Sequence, residues 1–311
     1  MRRPQVEPVD GLPERVRIYE VGARDGLQNE KQIVPVQDKA TFVRMLAEAG
    51  LDTIEVTSFV SPTWVPQLAD AEELLANLGA AGRGRNRPVL VPNERGLDRA
   101  LAQGVEAIGV FGSATETFAQ RNLNRSVAES IAMFEPVVER ARDAGVWVRG
   151  YVSMCFGDPW EGDVPIGQVV DVCRRLMDLG CDELSLGDTI GVATTGHVTR
   201  LLDALEAAGI GVERMGVHFH DTYGQALANT LAAIRRGVTV VDSSAGGLGG
   251  CPYAKSATGN LATEDLVWAL DGLGVQTGVD LKKLVATSVW MSGRLGRPSP
   301  SRVVTALAES V

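Results

Sequence analysis

The sequence predicts a (β/α)₈ barrel of the TIM type with additional C-terminal helices. Eight short apolar or β-branched segments alternate with helical segments, and the first seven helices each end near a glycine. The 311 residues fit one such barrel with terminal additions. An open, doubly wound sheet is the alternative, but GARDG at 22–26 lacks the GxGxxG spacing expected after its first strand.

The predicted strands are β-branched and apolar runs that end at glycine or at polar residues. The second run is unusual because a carboxylate, Glu55, stands among apolar and β-branched neighbours, so it needs a partner. The strands are expected at 16–21, 52–59, 89–91, 107–111, 146–154, 183–187, 216–221 and 238–244.

The predicted helices show the spacing of amphipathic helices, and we expect Thr263 and Asp280 to cap the last two. We expect residues 299–301 to close the ordered core, with the barrel at about 16–272 and a C-terminal helical extension at about 273–311 in one domain, 1–311. The helices are expected at 37–49, 67–78, 97–103, 127–144, 166–179, 195–208, 223–236, 263–270 and 280–294.

Composition excludes several classes of function. A formal charge of −9 argues against nucleic acid or an anionic membrane as a partner, because either needs a broad basic face. No apolar run is long enough to cross a bilayer, and the N-terminus lacks the apolar stretch of a secretory signal, so we expect a cytoplasmic protein. We expect four reduced thiols, since the spacing fits neither a disulfide framework nor a zinc motif: Cys155, Cys173, Cys181 and Cys251.

The strand ends carry the residues that suggest chemistry. His218 and His220 share one face of their strand, with Cα atoms about 6.6 Å apart, so their nitrogens can converge on one ion. Asp25 is the natural carboxylate to join them, and such nitrogen and oxygen ligation suits Mg²⁺ or Mn²⁺ at least as well as Zn²⁺. Arg24 is either the ion-pair partner of Asp25 or a group that stabilises an oxyanion. The other strand-end residues are Glu55, Arg149, Tyr151 and Asp188.

The glycine-rich loop after the eighth strand, GGLGGCP at 246–252, lacks the GxxxxGK[ST] pattern of a phosphate-binding loop. We expect it to be a mobile lid. Cys251 on that lid is either inert or a proton donor or acceptor, depending on its pKa.

Five segments together resemble the 3-hydroxy-3-methylglutaryl-CoA lyase family over nearly the whole chain. The Arg-Asp-Gly and His-x-His elements are shared with a wider group of metal-dependent barrels, whereas the glycine loop with its cysteine is typical of the lyases. The segments are VGARDGLQNE (21–30), EVTSFVSP (55–62), LGDTIG (186–191), GVHFHDTYGQALANT (216–230) and GLGGCPYA (247–254).

The resemblance implies retro-Claisen cleavage of 3-hydroxy-3-methylglutaryl-CoA to acetyl-CoA and acetoacetate. It implies a divalent cation held by Asp25, His218, His220 and the side-chain oxygen of Asn260. It implies substrate contacts by four residues: Arg24, Gln28, Ser58 and Tyr151. It also implies catalytic roles near the substrate for Arg24, Glu55, Asp188 and Cys251.

Within that reaction, Arg24 is expected to stabilise the enolate and Glu55 to orient Arg24. Cys251 is expected to protonate the enolate carbon. The hydroxyl proton is expected to go to Asp188 or to a water on the metal, ahead of His218. The segments 255–258 and 158–160 depart from the family pattern and leave the acyl and CoA contacts open.

Three other functions fit the same residues. A lyase for a longer 3-hydroxy-3-alkylglutaryl-CoA would keep the metal site and need a roomier pocket. A Claisen-type synthase would usually carry a C-terminal regulatory region. A non-catalytic metal-binding barrel would need the ligands but not Cys251. In each enzymatic case the partner is a small acyl-CoA, and we expect the barrels to pair as a homodimer.

Overall fold

In the computed structural model, which describes residues 3–250 and 259–310, nine parallel strands form one sheet in the order β2-β1-β9-β8-β7-β6-β5-β4-β3. The described strands are β1 (Arg17–Glu20), β2 (Thr53–Ile54), β3 (Thr57–Ser58), β4 (Val89–Leu90), β5 (Ala107–Ser113), β6 (Trp147–Ser153), β7 (Glu183–Asp188), β8 (Met215–Phe219) and β9 (Val240–Ser243).

The sheet closes into a barrel because β2 and β3 are two halves of the predicted second strand. Strand β2 pairs with β1, whereas β3 pairs with β4. Between them the Glu55 N–H donates to the Glu20 carbonyl at 2.8 Å, and the Val56 N–H donates to the Pro88 carbonyl at 2.9 Å. One segment therefore joins both ends of the sheet, and the predicted eight-stranded barrel is confirmed.

Helices follow the strands as predicted and cover the outside of the barrel. In the described residues they are α1 (Val36–Glu48), α2 (Ala71–Leu78), α3 (Glu94–Ala102), α4 (Glu116–Leu123), α5 (Val127–Asp143), α6 (Ile166–Leu179), α7 (Thr195–Ala207), α8 (Ala226–Arg235), α9 (Thr263–Gly272), α10 (Leu281–Leu295) and α11 (Arg302–Leu307). None of these helices combines the length and apolarity that a bilayer crossing requires.

Three helix predictions need correction. Helix α4 was not predicted, because its segment is short and polar. The predicted end at 299–301 is instead a helix start, since Ser301 Oγ accepts the Val304 N–H at 3.1 Å and begins α11. Asp280 caps α10 as predicted, but Thr263 lies inside α9 and its hydroxyl donates to Glu20 at 2.6 Å.

The barrel has two buried regions. The larger one, between sheet and helices, is mainly apolar. The smaller one fills the barrel itself and combines aromatic side chains such as Tyr19 and Tyr151 with buried charges, among them Arg149. Glycines make room for these large side chains: a Cβ at Gly109 would lie 2.8 Å from the Tyr151 ring, and one at Gly216 would collide with Arg149 Nη2.

Candidate active site

A cavity of about 580 Å³ opens at the carboxyl ends of the strands, where barrel enzymes place their chemistry. Its polar side is formed by Arg24, Asp25, His218 and His220. Its apolar lining includes Leu90, Phe111 and Phe118, together with the exposed side chains of Trp64 and Ile33.

A five-residue π-helical turn, Gly22–Gly26, carries Arg24 and Asp25 directly after β1. The Gly22 N–H donates to Glu20 Oε1 at 2.8 Å, and the Gly26 N–H donates to the Val21 carbonyl at 3.0 Å. Such wide turns are frequent at functional sites because they redirect side chains. Here the turn directs two adjacent charged residues into the cavity.

Glu55 and Arg24 form a buried ion pair. Arg24 Nε donates to Glu55 Oε2 at 2.7 Å, and Arg24 Nη1 donates to Asp25 Oδ1 at 2.8 Å. Burial raises the pKa of Glu55, whereas the guanidinium opposes that shift. The hydrogen bonds of Arg24 in the described part of the chain use Nε and Nη1, and Arg24 lines the cavity.

Asp25, His218 and His220 form a group that could hold a metal ion. One ligand atom from each lies within 4.8 Å of the others. Burial alone would raise the pKa of Asp25, but Arg24 and the histidines lower it to about 2, so the carboxylate is ionised. Burial lowers the pKa of His220 to about 4, which leaves a neutral imidazole. An ionised carboxylate and a neutral imidazole are the forms that bind a cation.

Asn260 reaches the same place from a segment that crosses the ends of β8 and β9. The Leu261 N–H donates to the Phe219 carbonyl at 3.0 Å, and Asn260 forms an isolated β-bridge with His220. Asn260 Nδ2 donates to Asp25 Oδ2 at 2.8 Å. Asn260 Oδ1 and His220 Nδ1 are both buried and have no hydrogen-bond partner among the described residues. Buried polar atoms normally have partners, so the oxygen and nitrogen atoms of Asp25, His218, His220 and Asn260 fit a bound cation.

Three residues inferred from sequence lie elsewhere. Asp188 does not line the cavity: its carboxylate accepts the Val192 and Ala193 N–H groups, each at 2.9 Å. Alternation along β7 explains this, because Ser185 and Gly187 face the cavity. Burial raises the pKa of Asp188 to about 6, although the hydrogen bonds from the backbone oppose that rise. Through these hydrogen bonds the Asp188 carboxylate stabilises the loop that follows β7.

Ser58 and Arg149 also lie away from the cavity. Ser58 is fully buried, and its Oγ accepts the Val60 N–H at 3.2 Å. Arg149 lies deeper in the barrel interior, fully buried. Gln28 and Tyr151, by contrast, line the cavity, and the Tyr151 hydroxyl has no partner within the described ranges.

The glycine-rich loop is anchored where it begins. The Gly246 N–H donates to Glu264 Oε2 at 2.8 Å, and the Gly246 carbonyl accepts from Ser299 at 2.7 Å. These contacts hold the start of the loop, and the mobility expected of the loop at 246–252 stays a prediction. Gly250 lines the cavity, and Cys251 lies outside the described residues.

The sequence interpretation missed three buried carboxylates: Glu20, Glu264 and Asp242. Burial raises the pKa of Glu20 to about 7 and that of Glu264 to about 8. Glu20 accepts the Ala245 N–H at 2.8 Å, so both hold the start of the glycine-rich loop. The signal that drew attention to Glu55, a carboxylate in an apolar β-run, was also present at Asp242.

Comparison with known proteins agrees with this geometry. The HMGL-like family model matches residues 15–290. Hydroxymethylglutaryl-CoA lyase of Rattus norvegicus is 50% identical over 306 residues, which cover 98% of this chain and 94% of that protein.

Solved structures show the same relationship. Hydroxymethylglutaryl-CoA lyase from Pseudomonas aeruginosa superposes with a TM-score of 0.92 at 49% identity, covering 97% of this chain and 100% of that one. An HMG-CoA lyase from Acenitobacter baumannii, in complex with coenzyme A and 3-methylmalate, gives a TM-score of 0.88 at 33% identity, covering 98% and 97%. The chain therefore belongs to the HMGL-like family and is a lyase of the hydroxymethylglutaryl-CoA lyase type.

Proposed function

We propose that this protein cleaves 3-hydroxy-3-methylglutaryl-CoA to acetyl-CoA and acetoacetate by a retro-Claisen reaction. The observation that carries the proposal is the convergence of Asp25, His218 and His220 at a cavity that Arg24 also lines. The coenzyme A in the Acenitobacter baumannii complex supports an acyl-CoA as the substrate.

We propose that Asp25, His218, His220 and Asn260 hold Mg²⁺ or Mn²⁺. The described ligand atoms are nitrogen and oxygen without a thiolate, which suits these cations. When bound, the cation would polarise the hydroxyl and carbonyl oxygens of the substrate.

We propose that Arg24 stabilises the negative charge that forms on the thioester oxygen. When the C2–C3 bond breaks, its electron pair moves toward the thioester and generates an enolate. Glu55 and Asp25 fix the guanidinium from two sides, so Arg24 needs no reorganisation during the reaction. Glu55 is thus a positioning residue, and we keep Gln28 and Tyr151 as substrate contacts because both line the cavity.

Two protons move in the reaction. The hydroxyl proton leaves as the new ketone forms, and we assign it to a water in the cavity, since Asp188 is engaged by backbone N–H groups and does not line the cavity. The enolate carbon gains a proton to give acetyl-CoA. Cys251 remains our proposed donor, supported by the position of the preceding Gly250 on the cavity wall. Ser58 is not retained as a direct substrate contact.

We propose one barrel domain over 1–311 and assembly as a homodimer, which light scattering of the purified protein would test.

We propose the cytoplasm as the compartment of this protein. The cysteines of the described residues are free and buried, as expected in a reducing compartment, although the rat relative is named mitochondrial. Cell fractionation with compartment markers would decide between the two.

Mass spectrometry of products is the first test. Purified protein is incubated with 3-hydroxy-3-methylglutaryl-CoA and Mg²⁺, beside an EDTA control. We expect acetyl-CoA and acetoacetate in equal amounts only when metal is present. A folded, Mn²⁺-binding protein that forms neither product would contradict the proposal, and a longer 3-hydroxy-3-alkylglutaryl-CoA would then be assayed.

Two variants separate binding from turnover. Cys251→Ser should bind Mn²⁺ as the wild type does and lose most turnover, because a hydroxyl is a far weaker acid than a thiol. His220→Ala should weaken Mn²⁺ binding in calorimetry. An unchanged affinity of His220→Ala would refute its ligand role, and near-wild-type kcat of Cys251→Ser would remove Cys251 from the mechanism.

A further inference from the structure

A chain of buried ion pairs crosses the barrel interior below the cavity. Arg149 of β6 and Glu183 of β7 are direct neighbours across the sheet, and so are His218 of β8 and Asp242 of β9. Strand register therefore places each charge beside an opposite charge or an imidazole. The two pairs lie on adjoining strands of one closed barrel, so their side chains meet inside it.

Arg149 joins the two pairs. Its Nη1 donates to Asp242 Oδ2 at 2.9 Å, its Nη2 lies 2.7 Å from Asp242 Oδ1, and its Nε lies 2.9 Å from Glu183 Oε1. Glu183 Oε2 in turn accepts from Arg17, which is partly exposed at the opposite end of the barrel. Two cations and two anions alternate in this chain, so its formal charges cancel before it reaches His218.

Aromatic rings enclose the central guanidinium. The Arg149 Cζ atom lies 3.9 Å from the centroid of Tyr19 and 5.2 Å from that of Tyr151. Arg149 and Asp242 both have fully buried side chains. A buried ion pair of this kind is costly unless its geometry is well fixed. The aromatic contacts and the two-atom pairing restrict where Asp242 can lie.

Asp242 faces His218 from this fixed position. Its Oδ2 lies 3.2 Å from His218 Nδ1 and also accepts from Ser185 Oγ at 2.9 Å. A carboxylate acceptor places the ring proton on Nδ1, which leaves Nε2 unprotonated for a cation. His220 differs, because its Nδ1 has no partner among the described residues.

We infer that Asp242 is a positioning residue that fixes His218 as an Nε2 ligand, and that Arg149 fixes Asp242. The inference rests on the cation site of the proposed function and extends it, because neither residue lines the cavity. Carboxylates that accept from a metal-bound imidazole typically contribute 10-fold to 100-fold in metal affinity. Asp242 therefore acts on the cation through His218.

The three histidines of the chain make the ring proton directly observable. In ¹⁵N-histidine-labelled, Mg²⁺-saturated protein, two-bond ¹H–¹⁵N correlation spectra distinguish a protonated Nδ1 from a protonated Nε2. A His197→Ala variant assigns the third ring. We expect a protonated Nδ1 for His218, and a proton on Nε2 instead would overturn the inference.

Metal affinity gives the second readout. Asp242→Asn keeps an acceptor and similar volume but removes the charge, and Glu183→Gln removes a charge from the same chain without touching His218. By calorimetry we expect the Kd for Mn²⁺ to rise about 10-fold to 100-fold in Asp242→Asn. In Glu183→Gln the Kd for Mn²⁺ should stay within about two-fold of wild type, because the charge that is removed lies one ion pair further from His218.

Each other outcome has a defined meaning. Equal losses of affinity in the two variants would show a general structural effect and overturn the positioning role. Wild-type affinity in Asp242→Asn would overturn it as well, while leaving the proposed lyase function intact. A wild-type protein that binds no Mn²⁺ would contradict the cation site and this inference together. If Asp242→Asn does not fold, Ser185→Ala is the second variant, because it removes one other contact of Asp242. We expect Ser185→Ala to raise the Kd for Mn²⁺ measurably but by less than about ten-fold. An unchanged Kd would overturn the inference.

Discussion

The two ends of the barrel interior are both polar, but they differ in whether their polar groups are paired with opposite charges. In the lower interior every charge of the chain from Arg17 to Asp242 lies against an opposite charge. In the cavity above it, the buried atoms His220 Nδ1 and Asn260 Oδ1 have no partner among the described residues.

Such unpartnered atoms are costly in a structure that serves only stability. The two beside Asp25 mark the place where a ligand completes the structure, whereas the ion-paired charges below mark a support. Burial and polarity alone do not separate the two regions. The separation comes from asking which polar atoms lie against an opposite charge, and substitutions in each region should accordingly affect different measurements.

Removing the central cation should have the largest effect on stability. In Arg149→Met, Asp242 and Glu183 remain buried without the charge of Arg149, so we expect the free energy of unfolding to fall by about 3–5 kcal/mol. Urea unfolding followed by circular dichroism measures this. Arg140→Met removes an exposed arginine and should leave stability near the wild-type value. Equal stability of the two variants would show that the lower interior is not a support.

A change at Arg24 should instead affect turnover. Arg24→Lys keeps the charge but cannot hold both Glu55 and Asp25 with the fork of a guanidinium. We expect kcat to fall about 10²-fold to 10³-fold, as for loss of an oxyanion donor, with Mn²⁺ affinity within a few-fold of wild type. Steady-state kinetics and calorimetry measure the two, and Arg44→Lys is an exposed control. A loss of metal affinity as large as that of kcat would contradict this assignment.

Asp188 tests whether a residue at the end of a strand belongs to the support or to the chemistry. Asp188→Asn replaces one acceptor oxygen with an amide N–H₂ that faces a backbone N–H. We expect the free energy of unfolding to fall by about 1–3 kcal/mol. Thermal unfolding and Mn²⁺ titration should show lower stability and unchanged affinity. Full stability together with a collapse of kcat would restore Asp188 as the base.

The carboxylates that hold the glycine-rich loop predict a dependence of stability on pH. The native pKa of Glu20, about 7, and that of Glu264, about 8, lie above the ordinary value for glutamate. The native state therefore binds more protons than the unfolded state, so their contribution is present below about pH 4.5 and is lost as pH rises toward 8.

Each group can contribute at most about 1.4 kcal/mol per pH unit over that window. Urea unfolding of the wild type at pH 6, 7 and 8 should show stability that decreases with pH. Glu264→Gln should show a shallower decrease, because its amide does not titrate. A wild-type stability that rises from pH 6 to 8 would contradict the assignment.

The sequence predicts the barrel well because strand count, helix periodicity and glycine stops are local properties. It also predicts that His218 and His220 share a face, since alternation within one strand requires no tertiary information. The same alternation, counted from Ser185, would have placed Asp188 outside the cavity.

Other features depend on which strands become neighbours. Asp242 meets His218 only through the register between β8 and β9, and it meets Arg149 only because the barrel closes. Asn260 was identified by family resemblance alone, since its segment reaches β8 by a crossing that no local pattern announces. Helix α4 was missed because tertiary packing outweighs its weak apolar pattern.

Gly216 shows that the absence of a side chain can be required as strictly as the presence of a reactive one. It stands two residues before His218 in β8, where a single methyl group would occupy the space of the Arg149 guanidinium. In a library of all single substitutions, position 216 should tolerate as few residues as the cation ligands do. Intolerance in such a scan would therefore mark two kinds of position in this barrel: side chains that bind, and space reserved for a neighbour.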